Sequence, residues 1–442
     1  MADSVLWFRR DLRLGDHPAL AAAAAAGGAV LPLFVLDPKL LASAGDVRRN
    51  RLLASLHDLH RATDGALVVR TGDPAEVVPA VARELPGASV HVTGEPFPYG
   101  RRRDDRVRKA LRDKDIDWLA TGTPYAVGPG RVVKADGTPY RVFTPFCRAW
   151  QDRGWHSPSG RPTDLRWAAR IDSEELPAVH EDPRAGEQAA LRRWAEFRDD
   201  DLARYDAERE RPDLHSTSRM SEHLKYGEIH PRTLLADLSG RRGVAVQRFV
   251  TELCWREFYA DVLWHNPQSA WNDLHQLPMG YHSPAESFDH WQRGETGFPM
   301  VDAGMRQLAG EGWMHNRLRM ITASFLVKHL HVWWPHGARH FLNLLRDGDI
   351  ASNNHGWQWV AGTGTDAAPY FRIFNPVSPG IKFDPNGDYV RRWIPELAQL
   401  GGSAAHQPWN HSDGYANNYP ERIIDLGTER AKALDRYSAA RA

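Results

Sequence analysis

The stretch Ala351-Ser-Asn-Asn-His-Gly-Trp-Gln-Trp-Val-Ala-Gly-Thr-Gly-Thr-Asp-Ala-Ala-Pro-Tyr-Phe-Arg-Ile-Phe-Asn-Pro-Val-Ser-Pro-Gly380 has an unusual mixture of side chains for a protein core. It surrounds a short apolar segment with amides, an aspartate, an arginine and glycines. Burying an amide without a partner costs roughly 1–3 kcal/mol. Glycines let the backbone approach a ligand closely, and the indoles of Trp357 and Trp359 offer flat stacking surfaces. The stretch therefore predicts the wall of a site for a large, planar, polar ligand.

The whole chain has the composition of an ordinary globular protein, with 442 residues, 42% of them hydrophobic and 25% charged. That length favours two domains. Cys147 and Cys254 are too few for a disulfide framework and indicate a reducing compartment. The start lacks a secretion signal, and the Ala-rich segment 19–26 is too short to span a membrane. We therefore expect a soluble, cytoplasmic protein that does not interact with membranes.

The net charge is zero, because 56 basic residues balance 56 acidic ones. Nucleic-acid binders usually carry a basic balance. Any affinity for DNA must therefore come from a local basic face on a neutral body.

The first 122 residues alternate short apolar runs with helical patterns, which is typical of parallel βαβ units. A doubly wound, Rossmann-like parallel sheet is predicted for residues 1–122. The sequence after the first strand reads Arg9-Arg10-Asp11 rather than a glycine-rich fingerprint, which argues against ordinary NAD binding. The predicted strands are 4–8, 30–36, 67–69, 89–93 and 116–119, and the predicted helices are 19–26, 47–62, 74–84 and 100–114.

Two further regions follow with a different sequence character. Residues 123–185 are rich in Pro, Gly and Ser and show little periodicity, which predicts a long interdomain linker. Helical periodicity dominates residues 186–442, and no convincing strand pattern occurs there. These residues are predicted to form an all-helical domain.

Four chemically active side chains share one face of a predicted helix. Glu252, Trp255, Arg256 and Tyr259 fall at positions i, i+3, i+4 and i+7. A carboxylate, an indole and a guanidinium on one stripe are costly in a core and indicate a binding site. On a plain surface they would form only a solvated face with one stray Trp. Both interpretations stay open on these residues alone.

Hydroxyl groups and an arginine cluster in Thr217-Ser-Arg-Met-Ser221, just before a helical pattern that begins at Glu222. Free N–H groups, the helix dipole and a guanidinium together form an anion site. An ordinary helix cap is the common alternative.

A second helical stripe is predicted within Trp313-Met-His-Asn-Arg-Leu-Arg-Met320, followed by a buried apolar helix over 321–330. Trp313, Asn316 and Met320 are expected on one face, with Arg319 beside them. A Met and Trp stripe is more often core than cofactor contact. Asn316 and Arg319 would need a hydrogen-bonding partner if they point inward.

The Ala351–Gly380 stretch resembles the flavin-binding core of the DNA photolyase/cryptochrome family. The motifs Leu6-Trp-Phe-Arg-Arg-Asp-Leu-Arg-Leu14 and Thr217–Ser221 extend the resemblance over essentially the whole chain, nearest to class I cyclobutane pyrimidine dimer photolyases. The resemblance implies light-driven repair by electron transfer from photoexcited reduced FAD to a pyrimidine dimer flipped out of DNA. It implies dimer-containing DNA as the partner. We predict a monomer without a protein partner or a metal site.

The resemblance assigns roles to individual residues. Residues expected to bind FAD are Tyr205, Thr217, Ser218, Arg219, Met220, Ser221, Glu252, Arg256, Asn316, Arg319, Asp347, Asp349 and Asn353. Residues expected to act in repair are Glu252, Asn316, Met320 and Trp359. Residues expected to bind DNA are Trp255, Arg319, Met320, Trp359 and Arg372. Asn353 is expected at the flavin ring nitrogen that changes protonation, where an amide can donate to the reduced flavin.

Trp357, Trp334 and Tyr281 match the three positions of the family's electron-transfer chain, with Tyr281 in place of the usual outer Trp. Tyrosine is harder to oxidise unless it loses its proton. Photoreduction of oxidised flavin is therefore expected to be slow or rerouted, with Trp333 and Trp271 as candidate substitutes.

The family also carries an antenna pigment in or beside the α/β domain. The string Gly94-Glu-Pro-Phe-Pro-Tyr-Gly-Arg-Arg-Arg-Asp104 looks more like the 8-hydroxy-5-deazaflavin type than the reduced-folate type. A plain basic helix start and an empty pocket form the alternative. The expected antenna residues are Asp37, Arg51, Glu95 and Tyr99.

Two other functions compete with repair. A cryptochrome would be a blue-light photoreceptor with the same fold and no repair activity. Its typical long C-terminal extension is absent here, and Glu252, Trp255 and Trp359 keep repair-type identities. A nucleotide-binding or electron-transfer flavoprotein without DNA would leave Trp255 and Trp359 without an evident role.

Overall fold

The computed structural model describes residues 3–85, 87–168, 171–367 and 372–440. The chain forms two compact units. Unit 1 comprises Met1–Ala203 and Ser218–Pro267, and unit 2 comprises Arg204–Thr217 and Gln268–Ala442. Residues 368–371 of the stretch that ends at Gly380 lie outside the described residues. The predicted domain boundaries at residues 122 and 185 stay a prediction.

Unit 1 contains a five-stranded parallel sheet in the order β3-β2-β1-β4-β5. The chain runs outward from β1 to β3 on one side and then returns to place β4 beside β1. This reversal defines the predicted doubly wound sheet, which is confirmed. The strands are β1 Ser4–Phe8, β2 Val30–Leu36, β3 Val68–Thr71, β4 Ser89–Val92 and β5 Trp118–Ala120.

The central strands β1 and β2 are buried on both faces, as a continuous apolar run predicts. Successive strand residues point to opposite faces, so Leu6 and Phe8 pack in one core cluster while Val5 and Trp7 pack in another.

The helices of unit 1 are α1 Pro18–Ala25, α2 Pro38–Ser43, α3 Asp46–Ala62, α4 Pro74–Glu84, α5 Pro98–Arg112, α6 Phe143–Arg153, α7 Glu187–Glu196, α9 Met220–Tyr226, α10 Pro231–Asp237 and α11 Val244–His265, while α8 Tyr205–Glu208 lies in unit 2.

The predicted helix 74–84 is present as α4, and the residues at its start explain why it begins there. Asp73 accepts a hydrogen bond from the backbone N–H of Ala75 at 3.0 Å, and Pro74 occupies the first helical position. Proline fits there because its missing N–H would have no partner in the first turn. Asp37 caps α2 in the same way through the N–H of Lys39.

The predicted linker, residues 123–185, contains one α-helix, α6, that its sequence pattern did not indicate. This helix buries Phe143, Phe146 and Trp150 at helical spacing. Its apolar pattern is short and stands between Pro-rich and Gly-rich segments, so the periodicity was hidden.

The described residues of unit 2 form helices joined by loops, without a β-strand, which confirms the all-helical prediction there. Its core gathers large apolar side chains, including the fully buried Trp291 and Trp334. The segment Phe325–His329 continues α14 as a π-helix. In the described part of the chain, no helix has both the length and the apolar character needed to cross a membrane. The remaining helices are α12 Glu286–Arg293, α13 Pro299–Glu311, α14 Asn316–Ser324, α15 Trp334–Leu344, α16 Ile350–Ala361, α17 Ser378–Phe383, α18 Asp388–Trp393 and α19 Leu426–Ala439.

Candidate functional site

The predicted chemical face of α11 exists as a half-buried stripe in unit 1. Glu252, Trp255, Arg256 and Tyr259 lie on this unbroken helix, and each is partly exposed. Neighbouring positions such as Leu253 and Phe258 are buried in the core. The helix therefore presents a carboxylate, an indole and a guanidinium at the border of the packed interior.

Phe143 of α6 stacks on Trp255, with ring centroids 3.6 Å apart and planes inclined by 5°. The sequence gives no sign of this contact, because Phe143 falls in the predicted linker. The stack fixes the plane of the indole by using one of its two faces. A flat ligand could then stack only on the opposite face.

Arg256 is held in place by backbone groups of unit 1. Its guanidinium donates to the carbonyl oxygens of Pro124 at 3.1 Å and Leu224 at 3.2 Å, and it lies 4.3 Å from the Tyr125 ring centroid. These contacts give the residue a fixed direction on the helix face. Arg256 therefore links α11 to the segments around residues 124 and 224, a structural role that needs no ligand.

Two buried carboxylates on α11 were also missed by the sequence analysis. Glu257 accepts the backbone N–H groups of Val127 and Gly128, and Asp261 accepts that of Gly130. Burial raises the pKa of Glu257, and it raises the pKa of Asp261 to about 6. These residues hold the 127–130 loop on α11, a role that spacing alone does not reveal.

The hydroxyl-rich motif brings Ser218 and Arg219 to the start of α9. The Ser218 hydroxyl accepts the N–H of Met220 at 3.3 Å, and Arg219 adopts a left-handed backbone conformation with φ of 56°. The helix begins at Met220 rather than at Glu222. Thr217 belongs to unit 2 and Ser221 to α9 in unit 1. Ser218 therefore acts as a helix cap in the structure, whereas anion binding by this motif stays a prediction.

The start of α14 corrects the predicted Trp313 stripe. Trp313 precedes the helix, which begins at Asn316, so Trp313 does not share a helical face with Asn316 and Met320. His315 occupies the cap position and accepts the N–H of Arg317. Asn316 is exposed, and its amide nitrogen lies 4.0 Å from the Met320 sulfur.

Arg319 and Asp347 form an ion pair between two of the predicted unit 2 site residues. The guanidinium donates to Oδ2 of Asp347 at 2.8 Å and to the carbonyl oxygen of Met314 at 2.8 Å. Oδ1 of Asp347 is buried and has no hydrogen-bond partner among the described residues. A buried acceptor without a partner is costly. A ribose hydroxyl would satisfy it, so this donor and acceptor set fits FAD.

Asp349 and Asn353 lie on consecutive turns at the start of α16. Asp349 caps the helix by accepting the N–H groups of Ala351 and Ser352. The Asn353 amide donates to the Ala338 carbonyl at 3.1 Å and to Oδ1 of Asn354 at 2.8 Å. Both of its N–H groups therefore have protein partners. Donation to a flavin would need one of these bonds to be replaced.

The remaining predicted unit 2 residues lie in varied environments. Trp359 is half-buried, and its ring stacks near Phe374 with centroids 6.4 Å apart. Arg372 is exposed, while Tyr205 is buried with the Arg209 guanidinium 5.6 Å from its ring.

The three predicted electron-transfer residues all belong to unit 2. Trp357 and Trp334 are buried in its core, and Tyr281 packs against that core. The Tyr281 hydroxyl is buried without a hydrogen-bond partner among the described residues. Burial raises the pKa of this phenol, and the nearby Tyr437 and Asp273 raise it further. The positive charge of Arg436 opposes these effects but does not outweigh them, so the described surroundings as a whole disfavour loss of the phenolic proton.

The predicted antenna residues fall into separate groups in unit 1. Tyr99 donates a hydrogen bond to Asp37, and burial followed by this bond raises the pKa of Tyr99 to about 12. Glu95 lies 3.7 Å from the guanidinium of Arg10. Arg51 instead pairs with Glu228 in the interior at 2.7 Å. Asp37 and Tyr99 are thus bonded to each other, whereas the guanidinium of Arg51 belongs to a different cluster, and the antenna site stays a prediction.

Comparisons with known proteins show the family and the fold of this chain. Residues 4–163 match the family model described as DNA photolyase, and residues 249–439 match the FAD binding domain of DNA photolyase. A deoxyribodipyrimidine photo-lyase of Streptomyces griseus is 40% identical, covering 98% of this chain and 100% of that protein. A bacterial class III photolyase from Agrobacterium tumefaciens has a TM-score of 0.91 at 36% identity, covering 100% of this chain and 98% of that one. A cryptochrome from Synechocystis sp. PCC6803 has a TM-score of 0.89 at 26% identity, covering 98% of each chain.

The chain belongs to the DNA photolyase/cryptochrome family and contains its FAD binding domain. The family membership that the sequence motifs predicted is therefore confirmed. The narrower placement in class I stays a prediction, as do the individual site residues.

Proposed function

We propose that this protein is a deoxyribodipyrimidine photo-lyase, an enzyme that uses light to repair pyrimidine dimers in DNA. The full-length similarity to a protein of that name at 40% identity carries the proposal. The cryptochrome alternative has weaker support, since the similar cryptochrome is only 26% identical. Dimer-containing DNA is the substrate. Repair of dimers in vitro under blue light, with undamaged DNA and darkness as controls, tests the function directly.

FAD supplies the light absorption and the electron that opens the cyclobutane ring. The protein binds and orients both partners. In unit 2, Asp347 would accept a hydrogen bond from the FAD ribose, and Arg319 holds the Asp347 carboxylate in position. In unit 1, Ser218, Arg219 and Ser221 are proposed to bind the diphosphate, as the family motif implies. Met320, Trp359 and Asn316 are proposed to contact the lesion.

Glu252 is proposed to stabilise the reacting dimer by a charge-assisted hydrogen bond, which is stronger than a neutral one. We expect Glu252→Ala to lower the repair yield per absorbed photon several-fold while flavin content stays near that of the parent. The measurement is repair quantum yield with chemically reduced enzyme. Glu196→Ala, at an exposed position of α7, is the matched control and should change neither quantity. An unchanged yield accompanied by loss of flavin would place Glu252 in the cofactor site instead.

Affinity for damaged DNA is expected to fall steeply with salt, because a neutral protein must bind phosphates through a local basic face. Each phosphate contact contributes roughly 0.9 to the slope of log affinity against log salt concentration. Arg372→Ala should therefore reduce that slope by about 1, whereas the exposed Arg112→Ala on α5 should not. Candidate contributors besides Arg372 are the Arg219–Lys225 region, Arg319, Arg391 and Arg392. Arg391 already pairs with Asp388 at 2.7 Å and is the weakest of them. An affinity that is independent of salt would exclude this binding mode.

The antenna is proposed to be 8-hydroxy-5-deazaflavin, bound near Asp37 and Tyr99. Protein co-produced with the deazaflavin should retain a second absorption band, and repair should gain efficiency at that band. Tyr99→Phe should weaken retention, because it removes the hydroxyl that Asp37 holds in place. Retention of a reduced folate instead, or of no second pigment, would contradict the proposal.

A further inference from the structure

One carboxylate in unit 2 accepts hydrogen bonds from two adjacent indoles. Oδ1 of Asp273 lies 2.6 Å from Nε1 of Trp334 and 3.2 Å from Nε1 of Trp333. The two rings meet edge to face, with centroids 6.4 Å apart and planes at 67°. Trp334 is completely buried, whereas Trp333 is half-buried. Asp273 belongs to none of the motifs that the sequence reveals.

A carboxylate at this distance changes the chemistry of the indole. The hydrogen bond is charge-assisted, and its short length is typical of a strong interaction. A negative charge beside the ring favours loss of an electron, since it stabilises the positive charge that remains. An oxidised indole is a far stronger N–H acid than a neutral one. Its proton then has an acceptor already in position at Asp273.

Tyr281 offers the opposite arrangement. Its hydroxyl has no hydrogen-bond partner among the described residues, and burial raises its pKa. Oxidation of a phenol requires loss of the proton, and none of the described residues accepts a hydrogen bond from this one. Trp334 is the member of the predicted chain whose indole donates a hydrogen bond to a carboxylate.

We propose that Asp273 is the proton acceptor for oxidised Trp334 and makes Trp334, rather than Tyr281, the end of the electron-transfer chain. Trp357 loses one electron to the photoexcited, oxidised flavin, and Trp334 returns one electron to Trp357. The N–H bond of oxidised Trp334 then breaks, and its proton forms an O–H bond on Asp273. This leaves a neutral Trp334 radical and a neutral carboxylic acid. A thiol reductant later supplies one electron to Trp334, and the proton returns from Asp273.

This inference rests on the proposed function, since it assigns a role within flavin photoreduction. A purely structural role for Asp273 is the competing explanation. Trp334 is the first residue of α15 and Trp333 occupies its cap position, so the carboxylate also anchors this helix. The Asp273→Asn variant distinguishes the proton-accepting role from the structural role. Its amide oxygen can still accept a hydrogen bond from an indole but is a poor proton acceptor.

The first measurement is flash absorption spectroscopy of the oxidised holoenzyme, which distinguishes cationic from neutral tryptophan radicals. In the parent protein we expect the neutral form, with a slower appearance in deuterated water. In Asp273→Asn we expect a cation whose loss of the proton is slowed roughly tenfold or more, since a charged acceptor has been replaced by a neutral one. Equal amounts and lifetimes of the neutral radical in both proteins would overturn the proposal.

A second measurement does not depend on photochemistry. The indole N–H signals of Trp333 and Trp334, recorded by nitrogen-15 NMR in the dark, should stay dispersed in Asp273→Asn and shift in Asp273→Ala. If the Asn variant lost the folded signals, Trp334→Phe in the parent background would replace it. That variant should abolish the neutral radical, and a neutral radical that persisted would exclude Trp334 as the end of the chain.

Failure of the repair function would be seen separately. The parent protein, reduced chemically with dithionite, needs no electron-transfer chain for repair. Absence of dimer repair in that assay would contradict the proposed function and leave the radical measurement on Asp273 interpretable. Normal repair combined with a cationic radical in the parent would reject the role of Asp273 alone.

Discussion

Glu228→Gln is expected to lower the free energy of unfolding by about 3–5 kcal/mol, the range found when one partner of a buried ion pair is removed. Oε1 and Oε2 of Glu228 accept from the guanidinium of Arg51 at 2.8 and 2.7 Å. Oε1 also accepts from Ser55 and from the backbone N–H of Gly186, both at 2.7 Å. A neutral amide leaves the Arg51 charge buried without its bidentate partner.

The matched control is Glu84→Gln, which breaks the Arg70–Glu84 pair at 3.2 Å on the exposed surface. Exposed pairs contribute about 0–1 kcal/mol, so this variant should unfold almost like the parent. The measurement is the urea midpoint followed by tryptophan fluorescence. Equal midpoints for the two variants would show that the interior pair contributes no more than a surface pair.

The contribution of Glu228 to the free energy of unfolding is expected to depend on pH. Burial alone would raise the pKa of Glu228, but the His223 hydrogen bond and the Arg51 charge outweigh it and lower the pKa from 4.5 to about 2. A lowered pKa stabilises the folded state above the unfolded value of 4.5, and this contribution disappears as the pH falls towards 2. The shift corresponds to about 3 kcal/mol. The parent should therefore lose stability over this range more steeply than Glu228→Gln.

Arg51 also shows what a sequence cannot reveal. The position of Arg51 on a helix was predictable, and the resemblance suggested that it faces the antenna pocket. Its actual partner lies 177 residues away along the chain, and no local pattern records such a pair. Asp273 was missed for the same reason, because its two indole partners are 60 and 61 residues distant.

Local patterns predicted the elements that depend on local physics. The apolar runs of β1 and β2 identified buried strands, because a strand covered on both faces must be apolar throughout. The spacing of Glu252 and Trp255 identified one face of α11, because the helix repeat alone determines which side chains are neighbours. Trp313 failed the same test, since Gly312 ends α13 and α14 begins only at Asn316. Spacing carries this information only inside an unbroken helix.

Tyr281→Trp is expected to accelerate photoreduction of the oxidised flavin several-fold under blue light with a thiol. The phenol must lose its proton to be oxidised, yet its hydroxyl has no partner among the described residues and burial raises its pKa. The positive charge therefore does not reach residue 281 in the parent. An indole can hold the charge without losing a proton, so the substitution adds an exit nearer to the reductant.

The rate of flavin bleaching under constant illumination measures this effect, with Tyr281→Phe as the control. The Phe variant should match the parent, because a phenol that is never oxidised contributes nothing to the rate. A strong slowing in Tyr281→Phe would instead establish the tyrosine as a working donor. Identical rates for Tyr281→Trp and the parent, together with a collapse in Trp271→Phe or Trp333→Phe, would show that the chain leaves through one of those indoles. Proton loss from Trp334 and an indole at position 281 should both prevent the positive charge from returning to the flavin. If Tyr281→Trp still accelerates photoreduction in the Asp273→Asn background, the outer indole can replace proton loss at Trp334.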